Sequence, residues 1–528
     1  IKLDGNYPTG TGNVALGNAA LDANTTGTRN TAIGANAGDA ITDGLANVLI
    51  GTNAGGGGNF STGVAVGDNA LLVNTGNNNT AVGQAAMVAN TSGSENTAVG
   101  QGALGSNTTA ANNTAVGYQS LLANTTGSFN VAVGKDALAA NTTAAQNTAV
   151  GGVSMASNTT GANNTALGTS SLNANTTGSS NTAVGTNALV VNTTGSNNTA
   201  VGMQSLDANT TGTTNTAIGK DSLGANTTGS ANTGLGHNAL EANTTASDNT
   251  GVGKNALRAN TTGGENTALG KDALSANTTG TNNLSLGSDT MLANTTGSNN
   301  VAVGYGALQV NSTADDNTAV GDRALFNNTT GANNSAFGHD ALKANTTANN
   351  NTAVGYQALL DNTTGTDNVA MGVLALENNT TGINNVGIGR EALGANTTAN
   401  DNTAVGYAAL LSNTTGTQNV GIGSLALVAN TTGIENVAVG AEALEACTTG
   451  GSNTAVGMRA LEANTTAGNN TAVGVFALGV NTTGDQNVAV GGNALDANTT
   501  GSNNTAIGRK AMSDNTTGHS CVAVGHTA

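Results

Sequence analysis

The sequence predicts an all-β chain wound as a parallel β-solenoid, with about 31 coils of 17 residues each. Three observations predict it. A 17-residue period runs through the 528 residues, every strict copy carries Gly at one fixed position, and short β-branched segments alternate with Asn-Thr-Thr turns. From Asn79 the register holds without insertion to Cys521, giving 26 strict copies, and looser starts precede it at Asn13, Asn30, Asn47 and Gly63. The chain therefore divides into a lead-in over 1–12, irregular coils over 13–78 and a strict solenoid over 79–528. Seventeen residues are too few for a helical hairpin repeat and do not match the Leu spacing of a leucine-rich repeat.

Each copy is numbered from its Asn. Positions 2–4 have the composition of a strand: Thr or Val, then a small residue, then Val, Ile or Leu, with Phe337 and Met371 the exceptions at position 4. Side chains alternate across a strand, so positions 2 and 4 share a face, which the pattern of hydrophobes places toward the core. In the strict copies position 3 holds only Ala, Gly or Ser, as at Ala115, Gly234 and Ser285. Its small size is expected to reflect close packing of something against the opposite, outer face.

Position 5 is Gly throughout, as at Gly117 and Gly304, and marks a tight corner. Positions 6 and 7 hold exposed pairs such as Lys135 with Asp136 and Arg390 with Glu391, and positions 10 and 16 vary as freely. Position 9 is Leu in 22 strict copies and Met in the other four, a restriction that predicts burial. A second short strand is expected over positions 8–11. Asn at position 12 opens the Asn-Thr-Thr turn. Position 15 is Gly or Ala, with Ala110 and Ala348 among the alanines, so this corner is not expected to need positive φ.

Composition limits the function. Only 8% of residues are charged, against about 25% in an ordinary globular protein. There are 5 Phe, 5 Tyr and no Trp, and the net charge of −17 comes from scattered acids with no basic stripe. Nucleic acid is not an expected partner. No run of apolar residues is long enough for a membrane span. Each coil can bury three or four small apolar side chains, which is little for an isolated chain. Side-by-side packing over position 3 is therefore expected, giving a homo-oligomeric fibre, a trimer. The chain stops partway through a coil at Ala528 and begins at Ile1 without a leader; end-to-end filament growth and a processed or partial product are the corresponding expectations.

The pentapeptides Asn147-Thr-Ala-Val-Gly151 and Asn300-Val-Ala-Val-Gly304, followed by a small residue and a hydrophobe, resemble the head repeats of trimeric autotransporter adhesins. That resemblance implies left-handed β-rolls, three chains around an axis, and display on a bacterial surface for adhesion. It spans residues 13–528 but with 17-residue coils where those heads usually have 14. The longer form, Asn351-Thr-Ala-Val-Gly-Tyr-Gln-Ala-Leu359 followed by Asn362-Thr-Thr-Gly365, is also similar to repeats of phage tail fibres and of chaperone-terminated surface fibres. It implies an extracellular or virion-surface location and an unidentified receptor or matrix.

Catalysis needs a singular cluster, and a uniform repeat supplies none: no catalytic, cofactor-binding or metal-ligating residues are assigned, and no enzyme is expected. His237, His339 and His526 fall at position 6 and His519 in a turn, all expected to be solvated, with His339 and Asp340 a local pair. Cys447 replaces the position 12 Asn and Cys521 the position 1 Asn, five coils apart, so no bond between them is expected. The Asn-Thr-Thr motif, as at Asn124-Thr-Thr126, satisfies the N-glycosylation sequon, while a turn ladder explains the same Asn. Tyr118, Tyr305, Tyr356 and Tyr407 all sit at position 6 and should point outward. Ice binding is a minor alternative, raised by the regular Thr ranks and weakened by the inward direction expected of position 2.

Overall fold

The computed structural model describes residues 9–528, so the lead-in assigned to 1–12 lies mostly outside the described residues. Two units are present, one ending at Glu265 and one spanning Asn266–Ala528. The first holds strands β1 (Val14–Leu16) to β15 (Thr250–Val252) and the second β16 (Thr267–Leu269) to β31 (Val522–Val524), each of three residues, and no helix occurs among the described residues. Within each unit every strand pairs in parallel with the next in chain order, residue on equivalent residue, as Thr182 on Thr199 and Ala302 on Ala319. The architecture is a parallel β-solenoid with one coil per repeat, as the period predicts.

Two expectations about the coil are corrected. The face of the strand that points inward is position 3, not positions 2 and 4. Ala81, Ala115, Ala302 and Ala438 have no exposed surface, whereas positions 2 and 4 are half-buried or exposed. Position 3 is small because the coil interior is narrow. Opposite it lie the position 8 and 9 side chains, such as Ala137 with Leu138 and Ala324 with Leu325, fully buried. Burial of Leu or Met at position 9 is as expected.

The second strand over 8–11 does not form. Positions 7 and 9 both adopt left-handed backbone, for example Asp136 at φ 57° and Leu138 at 51°, and position 17 does so again, as Gln146 at 61°. Such alternation turns the chain too sharply for extended structure. The backbone is nevertheless paired between coils: Leu138 N–H donates to Ser154 O at 3.0 Å and Ala140 N–H to Ala156 O at 3.0 Å. At position 15 the buried Ala110 and Ala348 occur without positive φ, as predicted.

The Gly at position 5 is required by two separate constraints. Gly202 has φ 139°, and a Cβ built there would stand 2.5 Å from the carbonyl oxygen of Gly219 on the next coil. That conformation is essentially restricted to Gly, and the close stacking leaves no room for a side chain.

Two ranks of buried Asn close the coil. At position 1, Asn164 N–H donates to Asn147 Oδ1 at 2.9 Å, while its Nδ2 donates to Gly178 O of its own coil at 2.9 Å. At position 12, Asn175 Nδ2 donates to Asn158 Oδ1 at 2.8 Å and to Gly178 O at 2.9 Å. Both side chains converge on the position 15 carbonyl, so the amides that would be costly inside the core are satisfied by one another and by one turn. Outside this, Thr at position 13 extends the pattern, Thr176 Oγ1 donating to Thr193 O at 3.0 Å.

Candidate functional site

Because position 3 points inward, positions 2 and 4 of every strand form one outward sheet face in each unit. Position 4 is apolar in all 31 strands and position 2 is Thr, Val, Ser or Leu, so the face carries no charge. Leu269, Phe337, Met371, Ile388 and Ile422 are among its exposed large side chains. The parallel in-register ladder places them in straight ranks about 4.8 Å apart. The face thus pairs an apolar rank at position 4 with a rank of Thr and Val at position 2.

The corner after Gly at position 5 presents a second, polar rank. Tyr118, Tyr305, Tyr356 and Tyr407 are exposed there, as position 6 predicts. Cations lie near several rings of the corner, with Lys135 Nζ 5.8 Å from the Tyr118 centroid, Arg390 6.0 Å from that of Tyr407 and Arg459 5.6 Å from that of Phe476.

His339 and Asp340 are more than a local pair. Asp340 is buried, with Arg323 Nε 3.1 Å and Lys343 Nζ 3.3 Å from its Oδ1 and His339 Nδ1 3.3 Å from its Oδ2. The His339 ring stacks on Tyr356 at 5.5 Å between centroids. Three successive coils thus contribute to one network, which spacing along the chain conceals because stacked neighbours are 17 residues apart. His237, His519 and His526 remain exposed and apart from it. His519 Nδ1 accepts from Ser502 N–H at 2.9 Å.

Glu442, Glu445 and Glu462 also converge, with one carboxylate oxygen from each within 4.8 Å of the others. Arg459 Nε lies 2.5 Å from Glu442 and 3.8 Å from Glu462. Burial, and then the charges of Glu442 and Glu462, push the Glu445 carboxyl above its ordinary value, while Arg459 pulls against them.

The two cysteines are free, Cys447 buried and Cys521 exposed. Burial pushes the Cys447 thiol up to about 11. The sequon Asn at position 12 is buried in the strict coils from Asn90 to Asn498 and half-buried at Asn515, and Asn124 Nδ2 is held by Asn107 Oδ1 at 3.1 Å and Gly127 O at 2.9 Å. Among the described residues no helix is long and apolar enough to cross a membrane. Comparison with known proteins returned no matching family model and no matching curated protein.

Proposed function

We propose that the chain is a structural, non-catalytic segment of an extracellular fibre whose copies assemble over the uncharged sheet face, with three around an axis as the adhesin-like repeats imply. The observation that carries this reading is the outward face of positions 2 and 4, which replaces position 3 as the packing surface. In the second unit alone, sixteen strands of three residues present a face of roughly 700 Å², close to the ~800 Å² per partner of a stable interface. A bacterial surface adhesin or appendage fits best, and a phage tail-fibre shaft is the close alternative with the same assembly. Cysteine crosslinking tests it. In a Cys521→Ser background, Val354→Cys should form an interchain disulfide under mild oxidation and Ala353→Cys should not; the reverse result would overturn it.

Ice binding is a second reading, favoured by the outward direction of Thr182, Thr199 and Thr216 at position 2, in register on one sheet. It requires thermal hysteresis at millimolar protein, and a freezing point equal to the melting point excludes it.

A further inference from the structure

We propose that the exposed Asn at position 17, wherever the next coil begins Asn-Thr or Asn-Ser, is an acceptor for N-linked sugar. The site lies at the margin of the sheet face, beyond anything the fibre reading assigns.

Eight sequons straddle the boundary between consecutive coils, among them Asn112-Asn113-Thr114, Asn163-Asn164-Thr165, Asn197-Asn198-Thr199 and Asn503-Asn504-Thr505. In each, the first Asn stands at position 17, the second is the position 1 Asn of the core ladder, and the hydroxyl residue is position 2. All eight first Asn are exposed, on left-handed backbone with φ of 59–62°.

A sequon is read through its Asn amide and the hydroxyl two residues on, so both must be reachable from one side. The position 12 sequons fail this condition. Asn192 has no exposed surface, and its Nδ2 is held by Asn175 Oδ1 at 2.9 Å and Gly195 O at 3.0 Å, whereas Thr194 faces solvent. The position 17 sequons meet it. Asn197 is exposed and Thr199 belongs to the outward sheet face, with only Asn198 turned inward.

The transfer needs only this amide, a transferase and an oligosaccharide carried on lipid pyrophosphate. Nδ2 bonds to the anomeric carbon of the sugar, the bond from that carbon to pyrophosphate oxygen breaks with its electron pair, and one Nδ2 proton passes to a base of the transferase. Nothing is oxidised or reduced. Stacking limits occupancy, because Asn333 and Asn350 lie on paired coils about 4.8 Å apart, closer than two oligosaccharides can lie side by side. Asn350 Nδ2 donates to Asp367 Oδ1 at 3.0 Å, so Asn333 is the acceptor of this pair.

The repeat carries its own controls. Asn299 and Asn384 are exposed at position 17 with the same left-handed backbone, but Val301 and Val386 stand where the hydroxyl is needed. The test incubates the folded full chain with an oligosaccharyltransferase that reads Asn-x-Thr/Ser and its lipid-linked donor, and reads each sequon by peptide mapping. Sugar is expected at Asn112, Asn163, Asn197 and Asn503, and none at Asn299 or Asn384. Asn124 should also stay bare, as the sign that the chain remains folded. Thr199→Val should lower transfer at Asn197 by about tenfold or more and leave Asn163 unchanged. Val301→Thr should create an acceptor at Asn299 while Asn124 stays unmodified. Sheet-face assembly would cover position 2, so the same mapping is made on the Val320→Lys, Val354→Lys chain, and transfer to that chain alone supports both readings. No transfer at position 17 in either chain, or transfer at Asn124 equal to that at Asn112, would overturn the proposal. Transfer to a chain that fails to crosslink through Val354→Cys upholds it and removes the fibre reading.

Discussion

Asn430 and Cys447 occupy the same position on adjacent coils, and the Oδ1 of Asn430 is buried without a donor. Through most of this rank the next Asn supplies that donor, as Asn430 Nδ2 itself does for Asn413 Oδ1 at 2.8 Å. Cys447 can only place its Sγ 3.5 Å from Gly450 O. The link of the buried amide ladder between these two coils is therefore missing.

Replacing Cys447→Asn should restore the link. A buried unsatisfied acceptor costs about 1–3 kcal/mol. Native-state amide exchange around residues 430–464 should slow by roughly 5- to 150-fold, with distant coils unchanged. Unchanged exchange there would mean that the ladder contributes nothing locally. The buried thiol should also react with a disulfide reagent only as fast as its coil opens, while Cys521 reacts at once.

At the position 5 corner, Gly202→Ala should destabilise the first unit by about 2–4 kcal/mol, since it combines a Gly-only backbone with a clash against Gly219. Ala188, on the preceding coil, tolerates its side chain at position 8 because the coil interior accommodates it. Urea titration of G202A checks this, and wild-type stability in the variant would contradict the account of the corner.

In-register stacking also brings like charges together, as the carboxylates around Glu445 show. Glu377 is raised by burial and then by Asp361 and Glu391. Both groups have folded values above the ordinary 4.5. The stability gained on protonating them is fully present below 4.5 and is lost as pH rises through the higher folded values. Glu445→Gln should therefore stabilise the second unit at pH ~7 and make its stability less dependent on pH between about 4.5 and 7. Destabilisation of this variant at neutral pH would show that Glu445 is favourably paired.

The position 12 sequons should be closed once the chain is folded. Asn124 has no exposed surface and its Nδ2 is engaged twice. Oligosaccharyltransferase should leave Asn124 of the folded protein unmodified, read by peptide mapping, while modifying a free peptide containing Asn124-Thr-Thr126. A glycan at Asn124 of the folded protein would contradict the buried ladder.

The coil period, the Gly corner, the buried Leu and the outward Tyr were all legible in the sequence, because one repeated environment selects the same residue type each time. The direction of the strand was not. Ala at position 3 and Val at position 4 fit either orientation, and the interior proved so narrow that the smallest residue marks the inside. The left-handed residues had a faint signal in the Asn and Asp at position 17, such as Asn163 at φ 60° and Asp248 at 62°. Leu138 and its equivalents carried no such signal, so the second strand was expected where a turn forms. The network around Asp340 was hidden because its members, Arg323, Asp340 and Tyr356, meet only when coils stack.

Sedimentation equilibrium tests the central claim, that the face of positions 2 and 4 holds copies together. The wild-type chain should sediment at a multiple of 50.8 kDa, three-fold by the adhesin-like geometry, and Val320→Lys with Val354→Lys should reduce it to one copy. A wild-type chain that remains a stable single copy at micromolar concentration would contradict it.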